Sequence, residues 1–295
     1  DAALAFTRAQ LDELYEPRLG GWGRIQRYPF AAPLEHAFSR AVIDGEAAWL
    51  PRALTTATSY AALLDPVFGG MYQYSTRGDW QHPHFEKLAA IQAGTIQSFV
   101  SAYGATGDAR WLEPARSVAT YVRAFLEDPA GGFYASQDAD VPTTRGVLPG
   151  ADYYALADAE RRALGLPRTD TALYASLNGL LIDALARLAQ VDPEGPWLTS
   201  ARAAAERLER THRRGDAFAH APNDPPGALL HLADQPGGVG VLHRARHLGD
   251  DRQRAQRRHA VLELAEQRRA GEQLHHQAAA AVLLADVVHL AQPAV

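Results

Sequence analysis

Three times along this chain a double glycine is followed at once by large hydrophobic residues: Gly20-Gly21-Trp22, Gly69-Gly70-Met71-Tyr72 and Gly131-Gly132-Phe133-Tyr134. Gly215-Asp216-Ala217-Phe218 reads as a weaker fourth copy. Between the copies lie stretches sized for pairs of helices, over 34–63, 83–127, 171–213 and 226–268. An even number of helices returns the chain to the end it left, so all the glycine-aromatic loops are predicted to share one rim. The helices are legible from apolar spacing, as in Leu173, Leu177, Leu180, Leu181, Leu185 and Leu188, and again from Trp111 to Phe125. The opposite ends are short turns with an aspartate N-cap, Gly104 to Asp108 and His247 to Asp250. Trp111-Leu112-x-x-Ala115 returns 86 residues later as Trp197-Leu198-x-x-Ala201, two units of helical-hairpin length. Strand-type alternation is nearly absent. The expected fold is an all-α toroid of antiparallel hairpins, one domain over 1–295. Its least regular part is 141–170, with a short helix near 156–164.

Composition narrows the function classes. Hydrophobic residues make up 47% and charged residues 21%, as in ordinary globular domains. No run of eighteen apolar residues lacks a charge, so no spanning helix is expected. Acids and bases are interspersed around a net charge of −5, which gives no footprint for nucleic acid or membrane. The first residues lack a basic segment ahead of an apolar core, and a cytoplasmic location is expected. The absence of cysteine excludes disulfides, thiolate catalysis and zinc–sulfur sites. Of 29 basic residues only Lys87 is lysine, so that ammonium stands out.

The densest chemistry runs from Tyr72 to Lys87, through Tyr74, Arg77, Asp79, Trp80, His82, His84 and Glu86. Pro83 suits the first turn of a helix, which would place His84 where the dipole favours neutral imidazole, the form a general base needs. The alternative is a capping cluster with its histidines satisfied by backbone. His82-Pro-His84-x-Glu86 does not match the helical spacing of a metal pair, so no metal and no cofactor are expected. A second cluster, Gln137-Asp138-Ala139-Asp140, places two carboxylates on one side of an extended segment. Such a pair suits glycosidic acid–base work, a cation, or a turn cap. Asn178 interrupts an apolar face and is expected to reach a backbone group or the toroid cavity. Asp234 is a comparable polar break. Trp22, Tyr28, Tyr74, Trp80 and Tyr153 offer flat surfaces for a sugar ring, or belong to the core.

In order, the blocks Gly20-Gly-Trp-Gly23 with Arg27-Tyr-Pro29, Gly69-Gly-Met-Tyr-Gln-Tyr-Ser75, Trp80-x-x-Pro83-His-Phe-Glu-Lys87, Gly131-Gly-Phe-Tyr-Ala-Ser-Gln-Asp-Ala-Asp140, Asn178-Gly-Leu180 and Leu232-Ala-Asp234-Gln235 span about residues 10 to 240. They resemble the spermatogenesis-associated protein 20 family, whose members join a thioredoxin-like domain to an N-acylglucosamine 2-epimerase-like barrel. The resemblance implies an (α/α)6-type barrel related to sugar epimerases and six-hairpin glycosidases. It also implies a rim site drawing on His84, Glu86, Asp138 and Asp140, with Lys87, Arg27, Tyr74, Trp80, Gln137, Tyr153, Asn178 and Asp234 around a sugar-like ligand. No counterpart of the thioredoxin-like domain lies in this sequence, which leaves a separate thioredoxin-like partner as an expectation. The family pattern departs at Ile91-Gln92, at Pro149-Gly150, at Ala172 and at Leu177, and the shorter C-terminal region implies one abbreviated hairpin.

Three functions follow as expectations. The first is a sugar epimerase or isomerase with His84 as base, partnered by Glu86 or Asp138, and Lys87 holding an anionic group or the enolate oxygen. The second is a binding or partner module on the same scaffold, which the altered positions favour. The third is glycoside hydrolysis by Asp138 or Asp140.

Overall fold

A computed structural model describes residues 2–225, 227 and 228. Seven long helices carry the architecture: α1 (Ala2–Leu14), α2 (Ala31–Val42), α3 (Trp49–Ala61), α4 (Ala89–Thr106), α5 (Leu112–Tyr121), α8 (Ala175–Val191) and α9 (Trp197–Thr211). Two short helices, α6 (Gly150–Tyr154) and α7 (Asp158–Leu164), lie between α5 and α8. Helices α2, α4 and α8 pack side by side, and each is backed by its sequence partner, α3, α5 or α9. This is the two-layer packing of an (α/α) toroid. It buries α4 on more than one face, with Gln92, Thr95, Ile96, Ser98 and Phe99 all enclosed.

The outer helices begin alike. Trp49-Leu50-x-x-Ala53 is a third copy of the motif seen at Trp111 and Trp197. In each copy the tryptophan is buried and the alanine has no exposure, so a large anchor is followed one turn later by a close helix contact. Between the layers, α4 ends at Gly107, whose φ of 69° allows its N–H to reach the Tyr103 carbonyl. Asp108 then accepts from the Arg110 N–H at 3.0 Å, the cap read from sequence.

The double-glycine loops are held by one repeated device. In each, the first glycine has positive φ and sits against the outer helix of the next hairpin. A Cβ on Gly20 would lie 2.9 Å from Thr56, and on Gly69 or Gly131 it would lie 2.6 Å from the Ser117 or Ala203 carbonyl oxygen. Only glycine meets both demands. An acid opens each loop: the backbone N–H groups of Glu16, Asp65 and Asp128 donate to the second glycine's carbonyl. Their carboxylates accept from loop amides two or three residues on. A side-chain amide closes two of the loops. Gln92 accepts from Met71 N–H at 2.7 Å and donates to its carbonyl at 2.8 Å. Asn178, 86 residues later, treats Phe133 in the same way at 2.7 and 3.0 Å. Asn178 thus reaches a backbone group, and Gln92, a departure from the family pattern, performs the amide's work.

Short ladders dress the rim. Strand β1 (Tyr74–Ser75) pairs with β2 (Pro83–His84), and β3 (Lys87–Leu88) pairs with β4 (Ser136–Gln137), which pairs with β7 (Thr169–Asp170). Two hairpins, β5 (Val141–Thr143) with β6 (Gly146–Leu148) and β8 (Arg213–Arg214) with β9 (Ala217–Phe218), complete the set. The sequence placed Pro83 and His84 in the first turn of a helix. They lie instead in β2, and α4 starts only at Ala89. The chain spends 83–88 pairing with two neighbours, and these tertiary bonds outweigh the N-terminal preference of proline. The dipole argument for a neutral His84 therefore does not apply. The expected short helix near 156–164 is α7, whereas α6 was not anticipated. The expected helical pair over 226–268, the Asp250 cap and Asp234 lie outside the described residues. No described helix is long and apolar enough to cross a membrane.

Candidate functional site

Residues 84–87 alternate between outside and inside, as extended backbone dictates. His84 and Glu86 point outward, with side chains 49% and 34% exposed, and His84 Nδ1 meets Glu86 Oε2 at 2.9 Å. Since the carboxylate accepts, this contact selects Nδ1–H and leaves the Nε2 lone pair of neutral imidazole open. The imidazole also ends a column of rings. Phe30 stacks on Tyr28 at 5.1 Å, Tyr28 on Tyr74 at 4.5 Å, and Tyr74 on His84 at 4.6 Å with planes 8° apart. A second pair lies close in sequence: His82 Nδ1 meets Asp79 Oδ2 at 2.7 Å. The Asp79 carboxyl is held below the usual range by the Gln81 N–H first and by His82 second.

Phe85 and Lys87 point inward. The Phe85 ring lies flat on Tyr154 at 5.3 Å and edge-on to Tyr72 at 4.9 Å. Lys87 is fully buried, its Nζ donating to Asp65 Oδ2 at 2.8 Å and to the Gly69 carbonyl at 2.7 Å, with the ring of Tyr121 4.3 Å away. Arg161 of α7, also fully buried, donates to both Asp65 oxygens at 3.0 and 2.8 Å and to the Tyr154 and Leu156 carbonyls. Desolvation lowers the Lys87 ammonium to about 8, against the opposing pull of Asp65. For Asp65 burial acts upward, but Lys87 and Arg161 together prevail and keep it below the usual carboxylate range. A carboxylate shared by two buried cations is a structural knot, with no open atom for a ligand.

The proposed site residues within the described part therefore fall into three groups. His84, Glu86 and Tyr74 come together on the rim. Asp138, on the neighbouring loop, pairs with Arg168 at 3.0 Å, and Asp140 accepts from the Gly150 N–H at 2.7 Å, capping α6. Lys87, Arg27, Trp80, Gln137, Tyr153 and Asn178 are buried. Arg27 donates to the Gly78 and Gly20 carbonyls, Trp80 to the Leu19 carbonyl and Tyr153 to the Gly165 carbonyl, while Gln137 accepts from Tyr121. These hold the rim loops in place. Sequence reasoning missed Asp65 and Arg161. Asp65 was findable, because an acid stands four or five residues before the second glycine in all three loops; Arg161 carries no such signal. Among the described residues no group of three or more His, Asp or Glu is disposed to hold a metal ion.

No family profile matches the sequence. Spermatogenesis-associated protein 20 of Rattus norvegicus is 35% identical over 147 residues, which is 48% of this chain and 18% of the relative. The matched stretch thus spans about a fifth of that protein's length. Among solved structures, cellobiose 2-epimerase from Spirochaeta thermophila superposes with a TM-score of 0.61 at 16% identity, covering 85% of this chain and 65% of that one. A family 76 α-mannanase from Bacteroides thetaiotaomicron gives 0.59 at 16% identity, covering 84% and 63%. The chain resembles spermatogenesis-associated protein 20 in sequence, and its fold is the (α/α)6-type barrel of sugar epimerases and family 76 glycoside hydrolases.

Proposed function

We propose that the rim binds a sugar and that the protein is an epimerase- or isomerase-like enzyme in which His84, oriented by Glu86, is the base. The observation that carries this reading is the His84–Glu86 contact, half-exposed at the end of the Phe30–Tyr28–Tyr74 stack. A carboxylate on Nδ1 leaves Nε2 open to accept a proton from carbon next to the carbonyl of an open-chain sugar. The cellobiose 2-epimerase and α-mannanase neighbours support a carbohydrate ligand as a matter of fold analogy. Lys87 takes no part in this proposal, since Asp65 and Gly69 hold its ammonium.

A second reading is a sugar-binding module without turnover. It is favoured by Asp138 and Asp140 being held by Arg168 and Gly150, which leaves His84–Glu86 without an evident partner acid. The same engagement gives the paired-aspartate hydrolase reading the least support. A calorimetric screen of free and phosphorylated sugars, followed by turnover assays on each binder, separates the readings. Turnover lost in His84→Gln is the expected result; binding without turnover in the wild type would overturn the enzyme reading.

A further inference from the structure

The fully buried Arg161 lies on a two-turn helix and joins nearby carbonyls to a carboxylate far away in sequence. Its carboxylate partner, Asp65, is 96 residues away, and the same carboxylate holds Lys87. The guanidinium also bonds the Tyr154 carbonyl at 2.6 Å and lies 5.0 Å from that residue's ring. Tyr154 in turn backs Phe85 with parallel rings. Gly150, at the start of α6, also packs against Phe85: a Cβ there would be 3.2 Å from Phe85 Cβ. Phe85 and Lys87 are the two inward residues of the segment joining β2 to β3, whose outward residues are His84 and Glu86. Fixing the inward pair fixes the rotation of this segment about its own axis. With it are fixed the directions in which imidazole and carboxylate leave the backbone.

We infer that Arg161 is a positioning residue for the His84–Glu86 pair, acting through Tyr154 and Phe85, and that 149–165 is the brace behind the site. Arginine suits the role because one planar group donates from Nη1 to the Asp65 carboxylate, from Nη2 to the Tyr154 carbonyl and from Nε to the Leu156 carbonyl. Lysine has no such fork. The inference rests on the proposed function only for what the pair does; the geometry of the pair is testable without turnover.

The test is ¹⁵N NMR of the His84 imidazole, assigned by its loss in His84→Gln, in the wild type, Arg161→Lys and Phe85→Leu. In the wild type the neutral ring is expected chiefly as the Nδ1–H tautomer, because Glu86 accepts from Nδ1. Both variants are expected to lose that signature and move toward the free-imidazole mixture, with helical circular dichroism retained. Arg162→Gln, altering the exposed arginine next along α7, is expected to leave it unchanged. An unaltered Nδ1–H signature in folded Arg161→Lys would overturn the inference, whatever happens to its melting temperature. If Arg161→Lys does not fold, Phe85→Leu decides alone, and an unaltered signature there overturns it equally. An absence of turnover in the wild type would overturn the proposed function and leave this result standing.

Discussion

Asp65 and Glu86 each face a basic side chain, but their surroundings are opposite. Asp65 lies between Lys87 and Arg161 with all three side chains fully buried. Glu86 meets His84 where both are open to water. In the dry setting charge cannot be left unpaired, so the cluster fixes shape. In the wet setting the pair contributes little to stability, and its arrangement is free to serve chemistry. The contrast separates residues that build the rim from residues that use it, and it assigns the chain's one lysine to the builders.

The largest effect that sharpens this contrast is expected from Asp65→Asn. It leaves two buried cations without a counter-charge, and chemical denaturation should show a loss of about 3–5 kcal/mol. A loss below about 1 kcal/mol would place the cluster with the surface pairs. Next comes the pH response of Lys87. Its folded pKa, about 8, is below the ordinary 10.5. Between those values the unfolded chain binds a proton that the folded chain does not, so stability rises with pH, by up to about 3 kcal/mol. Tyr72, Tyr121 and Tyr154, whose phenols burial pushes upward, act in the opposite sense above the ordinary tyrosine range, so the rise is confined to about pH 8–10. Lys87→Met should abolish it. Asp65 gives the complementary limb: its depressed pKa stabilises the fold above the ordinary 3.8, and that contribution fades as pH falls below it.

A third effect, about 2 kcal/mol, is expected for Gly131→Ala, which combines a φ of 93° with a clash against the Ala203 carbonyl. Thermal unfolding measures it directly. At the exposed end of the comparison, His84→Gln is expected to change stability by less than about 0.5 kcal/mol.

What the sequence disclosed follows the same division. Helical pairs, the shared rim, the Asp108 cap and the 86-residue echo were legible because each is a local or periodic signal. Asn178 was legible as a polar break, and its target, a backbone group, was among those expected. The third copy, Trp49-Leu50-x-x-Ala53, is less legible, since its spacing from Trp111 departs from the 86-residue interval. The β2 and β3 ladders were not legible: two-residue strands have no periodicity, and Pro83 carried a helix-start signal that tertiary pairing overrode. Lys87 drew notice as the only lysine. Its burial depended on Asp65 and Arg161, whose 96-residue separation no local pattern encodes.

The division between builder and user is tested most directly by comparing His84→Gln with Asp65→Asn in parallel. Each is melted and assayed with whichever sugar binds and turns over in the wild type. His84→Gln should melt within about 2 °C of the wild type and lose turnover, while Asp65→Asn should melt roughly 6–20 °C lower. A His84→Gln protein that retains turnover, or that melts as low as Asp65→Asn, would contradict the account.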